Sequence, residues 1–292
     1  MRGRPVTEEE IARFVEDAAR QHLGGLAGIQ GYRFQDLVTV AFLLQYGAEN
    51  AGDDPQFKQE AAESATDDLH IIWGEDVFRR HFQIKSDASL SWEHPLRVKF
   101  SQERVAFPRA ELNLILHTER IANSMRWNRH ANEMGDVNVD WVDIRWTMCP
   151  HLNPDFCRWL DQLSLMPSHP ARYLEMWNHI FSIWINVFGG GIGHLKEVFR
   201  QVSAASSYTI TSLVSTSHEM NVIVDELRHN VEGLHFAADG ETLVVTWKMG
   251  RGLVPLPVEW CAIDSEFWQH YPRDPWEFWK KIGGFKSESE FD

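Results

Sequence analysis

Residues 82–89 read FQIKSDAS, with Gln83 and Lys85 two positions apart, and the upstream stretch QEAAESATDD carries Glu60, Glu63, Asp67 and Asp68. Successive side chains of a strand point to opposite faces. A strand starting at Val77 therefore puts Phe78, Phe82 and Ile84 on an apolar side and Arg79, His81, Gln83 and Lys85 on a polar one. In the preceding strand, DLHIIW, Leu69, Ile71 and Trp73 take the apolar side and Asp68, His70 and Ile72 the other. Pairing the two as a hairpin in the obvious register brings Asp68 to the end of the sheet that holds Gln83 and Lys85. Either Glu63 or Glu60 reaches the same end, and Asp67 competes with Asp68 as the ligand.

These are the parts that phosphodiester hydrolysis needs. Carboxylates, the Gln83 amide oxygen and the backbone carbonyl of Ile84 are hard oxygen ligands for Mg²⁺, with Mn²⁺ able to substitute. The cation polarises a phosphate and acidifies a water, and an ammonium orients that water or stabilises the developing charge. Lys85 among carboxylates also offsets their mutual repulsion. Singly, an Asp-Asp pair is a common solvated turn and Gln-Ile-Lys a common exposed-edge pattern. It is their order on one face that points to a site. Arg79 and Arg80 are candidate nucleic-acid contacts, with surface ion pairing as the alternative. His70 and His81 are candidate general bases.

Around this group the chain spells out a helix, YRFQDLVTVAFLLQY, apolar on nearly every side, and then the strands QFKQE, DLHIIW and VFRRHFQI. A helical stretch from about Ala110 to Met134 and a strand, DWVDIRWT, complete a helix, three strands, helix, strand order. Before it, Thr7 and Glu10 form a capping box for a first helix, and LGGLAGIQG reads as a flexible entry. Beyond Pro150, residues 154–204 are mainly helical, with a stripe of Leu174, Trp177, Phe181, Trp184 and Phe188. The run GGGIG at 189–193 lacks the Lys-Ser/Thr of a phosphate loop and reads as a break between helices. Thr216 and Glu219 cap another helix, and LHFAADGETLVVTW forms a hairpin turning at Asp239-Gly240. The expected fold class is α/β (α+β): a mixed sheet flanked by helices in residues 1–150, then a mainly helical recognition or oligomerisation domain with a small β-hairpin in 151–292.

At 292 residues the chain is long enough for two cores. Its net charge of −14 excludes a surface that attracts nucleic acid everywhere and leaves room for a local basic patch. The 13 tryptophans read as core fillers and interface anchors. Cys149, Cys157 and Cys261 cannot make a disulfide framework and lack CxxC spacing. The opening MRGRPVTEEE has no apolar signal core, and MWNHIFSIWINVF is too short to span a bilayer, so the expectation is a cytoplasmic protein with no membrane segment.

Glu, then Asp-Asp-hydrophobic-x-hydrophobic, then Gln-x-Lys-Ser, after a helix reading Gly31-x-x-Phe34-Gln35, resembles the PD-(D/E)xK restriction-endonuclease-like superfamily over about residues 24–150. The branch it most resembles is the double-stranded-DNA endonuclease domain of bacterial anti-phage effectors of the CBASS and Lamassu type, where Gln replaces the first residue of (D/E)xK. The resemblance implies a restriction-endonuclease-like core whose metal-binding aspartate is Asp68, whose metal-proximal position is Gln83 and whose catalytic lysine is Lys85. It implies an upstream acid at Glu63 or Glu60, and a polar position near the active site at Gln35. It further implies a Mg²⁺-dependent endonuclease acting on double-stranded DNA, oligomeric or with a protein partner such as an SMC-like ATPase or a nucleotide-sensing defence component. The strong acidity of the chain suits activity that depends on such assembly. A second reading keeps the nuclease-like fold as a non-catalytic scaffold that binds protein partners through the aromatic second half.

Overall fold

Helix α1 covers residues 33–49, and its apolar residues face inward on several sides: Phe34, Val38, Val40, Leu43 and Leu44 are all buried. The structure, a computed structural model, describes residues 33–50, 52–61, 64–66, 68–74, 78–86, 90–93, 95–143, 145–146, 149–166, 169–206, 209–240, 242–247, 253–257 and 270–287. The Thr7 helix, the LGGLAGIQG entry, Glu63, Asp67 and Cys261 lie outside the described residues.

After α1 come β1 (Gln56–Gln59), β2 (Leu69–Trp73), β3 (Phe78–Lys85), α2 (Leu96–Ala106), β4 (Glu111–Leu116), α3 (Glu119–Asn128) and β5 (Asn138–Trp141). They are followed by α4 (Pro154–Leu163), α5 (Pro170–Asn186), β6 (Ile192–His194), α6 (Leu195–Ala205) and α7 (His218–Asn230), then β7 (Leu234–Asp239), β8 (Thr242–Trp247), β9 (Leu253–Pro257) and α8 (Pro275–Ser287). Strands β5-β4-β3-β2-β1-β6 form a mixed six-stranded sheet and β7-β8-β9 a second, three-stranded one. The α/β expectation of a mixed sheet flanked by helices is therefore met. Strand β3 runs parallel to β4, and β4 parallel to β5, while β6 is antiparallel to β1.

The chain divides into two compact units. One holds the described residues up to Thr39 with Ala61–Leu69 and Arg80–Ile144; the other holds Val40–Glu60, His70–Arg79 and the chain from Arg145 onwards. The core of the first joins Leu96 and Phe100 of α2, Leu112, Leu114 and Leu116 of β4, Ile121 and Met125 of α3, and Val139 of β5. Each such fully buried side chain contributes roughly 1.5–3 kcal/mol. Trp92 adds an indole N–H that donates to the Met125 carbonyl at 2.8 Å, satisfying its one polar atom. In the second unit, Met220, Ile223, Val224 and Leu227 of α7 pack on Phe236, Leu243 and Val245 of the small sheet and on Phe278 and Ile282 of α8. Trp184 is fully buried and stacks on Phe188 with ring centroids 6.0 Å apart.

Two local expectations are corrected and two are extended. The helix expected from Ala110 to Met134 is strand β4 followed by α3, because ELNLIL is a short apolar run buried on both sides, which periodicity cannot distinguish from a buried helix. Helix α2, not anticipated, occupies the preceding segment. The cap of α7 is Ser217, whose Oγ accepts from Met220 N at 3.2 Å, rather than Thr216. The GGGIG run ends in an edge strand, with Gly189 and Gly190 at positive φ, so it does more than break a helix. The hairpin at Asp239-Gly240 is present, with Gly240 at φ 60, and β9 extends it to three strands.

Candidate active site

Strand β3 is interior to the sheet, between β4 and β2, so the exposed-edge interpretation of Gln-Ile-Lys does not apply. Its polar side is also covered. His81 and Gln83 are fully buried, as is His70 on β2. Phe107, at the end of α2, packs edge-on against the His81 ring at 4.8 Å.

Asp68 sits immediately before β2 and is the point on which the expected residues converge. Its Oδ2 accepts hydrogen bonds from Gln83 Nε2 and, at 2.7 Å, from the Ile84 backbone N–H. Lys85 Nζ stands 3.5 Å from the same oxygen, with side-chain exposures of 31% for Lys85 and 16% for Asp68. The ion pair therefore lies where buried strand meets solvent. From α1, Gln35, itself buried, donates its amide to the backbone carbonyl of Asp68. One carboxylate is thus fixed through both its backbone and its side chain. A charge-assisted bond of this kind is shorter and stronger than a neutral one. Gln83 Oε1 is buried and accepts no hydrogen bond among the described residues, and a buried acceptor in that state carries a free-energy cost of about 1–3 kcal/mol.

The turn that delivers Asp68 is held from below. Glu103, fully buried on α2, accepts from Ser64 Oγ at 2.6 Å, Ala65 N at 2.7 Å and Thr66 N at 3.2 Å. It also pairs with His81 Nδ1 at 2.5 Å. Burial alone would raise the Glu103 carboxyl, but the bonds from His81, Ser64, Ala65 and Thr66 outweigh it and hold the carboxyl down at about 2. Four donors fill the acceptor capacity of its two oxygens, so Glu103 acts as an anchor of this turn. His81, bound to it, is fully buried.

Glu60 is exposed at the end of β1 with φ 49. Arg80 Nε donates to Glu111 at 2.8 Å, at the start of β4, five residues from Lys85 and so roughly 16 Å away along the strand at about 3.3 Å per residue. Arg79 and Arg80 thus stand toward the opposite end of β3 from Asp68. The residue that sequence reasoning missed is Glu103. Its signal was the spacing Leu96, Phe100, Glu103, which places the acid on the buried stripe of a helix.

No family model matches the chain, and no curated protein matches it. Among solved structures it is similar to the Acinetobacter baumannii Cap4 SAVED/CARF-domain containing receptor with the cyclic trinucleotide 2'3'3'-cAAA, at 10% identity and a TM-score of 0.43. The same receptor with 3'3'3'-cAAA matches at 12% identity and a TM-score of 0.41. A further structure of this receptor matches at 11% identity and a TM-score of 0.39. Each match covers 64% of this chain, and the matched part spans about half of the receptor chain, 47% in the first two and 49% in the third.

Proposed function

We propose that the chain is a metal-dependent endonuclease that hydrolyses phosphodiester bonds of double-stranded DNA. The observation that carries this reading is the convergence of Gln83, the Ile84 N–H and Lys85 on one oxygen of Asp68. The helix, three strands, helix, strand order around it supports the reading, as does the motif resemblance. That resemblance alone is the ground for double-stranded DNA as substrate, and for a role in anti-phage defence with a protein partner.

The donor set fits a hard divalent cation. Asp68 supplies a carboxylate and Gln83 a buried amide oxygen that takes no hydrogen bond among the described residues. Gln83 turns its N–H₂ toward Asp68. Asp68 and, after half a turn of its amide, Gln83 through Oε1 would hold the cation. When bound, Mg²⁺ or Mn²⁺ supplies Lewis acidity, offsetting phosphate charge and acidifying water. The remaining work falls to the protein. The Ile84 N–H and the Gln35 amide hold Asp68 in place, so no reorganisation is needed as charge develops. Lys85, partly exposed, keeps its ammonium at the solvent-facing side, where it can meet a non-bridging phosphate oxygen or hold the attacking water through its lone pair. The burial around Gln83 excludes bulk water from one side of the group and strengthens each of these interactions.

The test is cleavage of supercoiled plasmid by purified protein with Mg²⁺, alone and with the products of neighbouring genes. Lys85→Ala is expected to lower the rate at least 100-fold, within the range for loss of a group that handles protons or charge in the transition state. Equal cleavage by wild type and Lys85→Ala would remove the assignment. Loss of Mn²⁺ binding in Asp68→Ala with biological activity retained would favour the scaffold reading.

A further inference from the structure

We infer that Glu103 is a positioning residue for the proposed cation site. It would set cation affinity by locking the Asp68-bearing turn to the strand that carries Gln83 and Lys85. The inference rests on the nuclease reading and adds to it a residue on α2, a helix that carries none of the Asp68 group. Glu103 grips the chain twice. On one side its carboxylate takes the Ser64 hydroxyl and the Ala65 and Thr66 amides, the three residues that end two positions before Asp68. On the other it binds His81 Nδ1 at 2.5 Å, two positions before Gln83 and four before Lys85 on the same face of β3. The two halves of the Asp68 group therefore share one buried support.

The bonding is directional and charge-assisted, since an ionised acceptor meets two backbone amides, a hydroxyl and an imidazole. A neutral amide cannot replace it. Glutamine keeps one acceptor oxygen and turns an N–H₂ toward donors that need an acceptor. The turn would then drift relative to β3, and Asp68 with it, while Gln83 and Lys85 stay fixed by the sheet. Partners that orient the groups around a metal typically account for about 10- to 100-fold in metal affinity or activity.

The experiment is Mn²⁺ titration by calorimetry of the full chain as wild type, Asp68→Ala, Glu103→Gln and Ser64→Ala, with urea unfolding of each. Wild type is expected to bind, Asp68→Ala not to bind, and Glu103→Gln to bind about 10-fold or more weakly, with cleavage recovered at saturating Mn²⁺. Ser64→Ala removes one of the four bonds to Glu103 together with the one Ser64 Oγ accepts from Thr66 N at 3.1 Å, a smaller perturbation than Glu103→Gln. It is expected to lower the unfolding midpoint modestly and to weaken binding about 3-fold in protein that is still fully folded without urea, which a purely stabilising role would not produce. If Glu103→Gln fails to fold, Ser64→Ala decides alone. Wild-type affinity in Ser64→Ala and in any folded Glu103→Gln would overturn the inference while leaving the nuclease reading intact. No Mn²⁺ binding by wild type would overturn both.

Discussion

Gln83→Glu reverses the sign of one contact in the candidate site. Gln83 Nε2 donates to Asp68 Oδ2; the substitution replaces that donor by a second carboxylate in a fully buried position. Losing a donor to an ionised acceptor costs about 1.5–3 kcal/mol. Two carboxylates about 4 Å apart at an effective dielectric constant near 20 repel by about 4 kcal/mol. Lys85, 3.5 Å from Asp68 Oδ2, offsets part of this, and uptake of a proton by the pair relieves more. The expected net loss is about 3 kcal/mol at neutral pH in EDTA, read as a shift in urea midpoint at constant slope. The introduced carboxyl has a raised folded pKa, so stability should return as pH falls and the pair takes up its proton. Mn²⁺ should do the same at neutral pH, because a second carboxylate binds it at least tenfold more tightly, about 1.4 kcal/mol. If the variant lost stability but showed wild-type Mn²⁺ affinity, Gln83 would not be a ligand. If it lost no stability, the Gln83 to Asp68 bond would carry none of the energy assigned to it.

Two further predictions follow from particular bonds. Glu103 has its carboxyl held from 4.5 down to about 2, which corresponds to about 3 kcal/mol of stability. A depressed carboxyl contributes fully above its unfolded value and loses the contribution as pH falls through the folded one, so acid unfolding should steepen below pH 4.5 in wild type and flatten in Glu103→Gln. For α7, Ser217→Ala should cost about 1 kcal/mol by thermal or urea unfolding, whereas Thr216→Ala should cost almost nothing, since Ser217 makes the capping bond.

Face alternation along β3 and the order acid, amide, ammonium were enough to bring Asp68, Gln83 and Lys85 together, because a strand's two-residue period is fixed by backbone geometry alone. The same local rules located α1, the Asp239-Gly240 turn and the alternation of helices and strands. What they left open was decided by packing. ELNLIL became a parallel strand because β3 was available to pair with it on one side and β5 on the other; its apolar run suits helix or strand equally well. The polar side of β3 became an interior surface because α2 brings Phe107 and Glu103 against it. A short sequence motif cannot reveal whether its polar face meets water or another layer. Whether Glu60 joins Asp68 depends on the path of the turn between them, and Glu103, more than 30 residues downstream, holds residues 64–66 of that path. Contacts between segments so far apart in sequence leave no local signature. The sequence therefore determined that Asp68, Gln83 and Lys85 share one site, and the tertiary structure decided how they are held, how far they are buried, and by what.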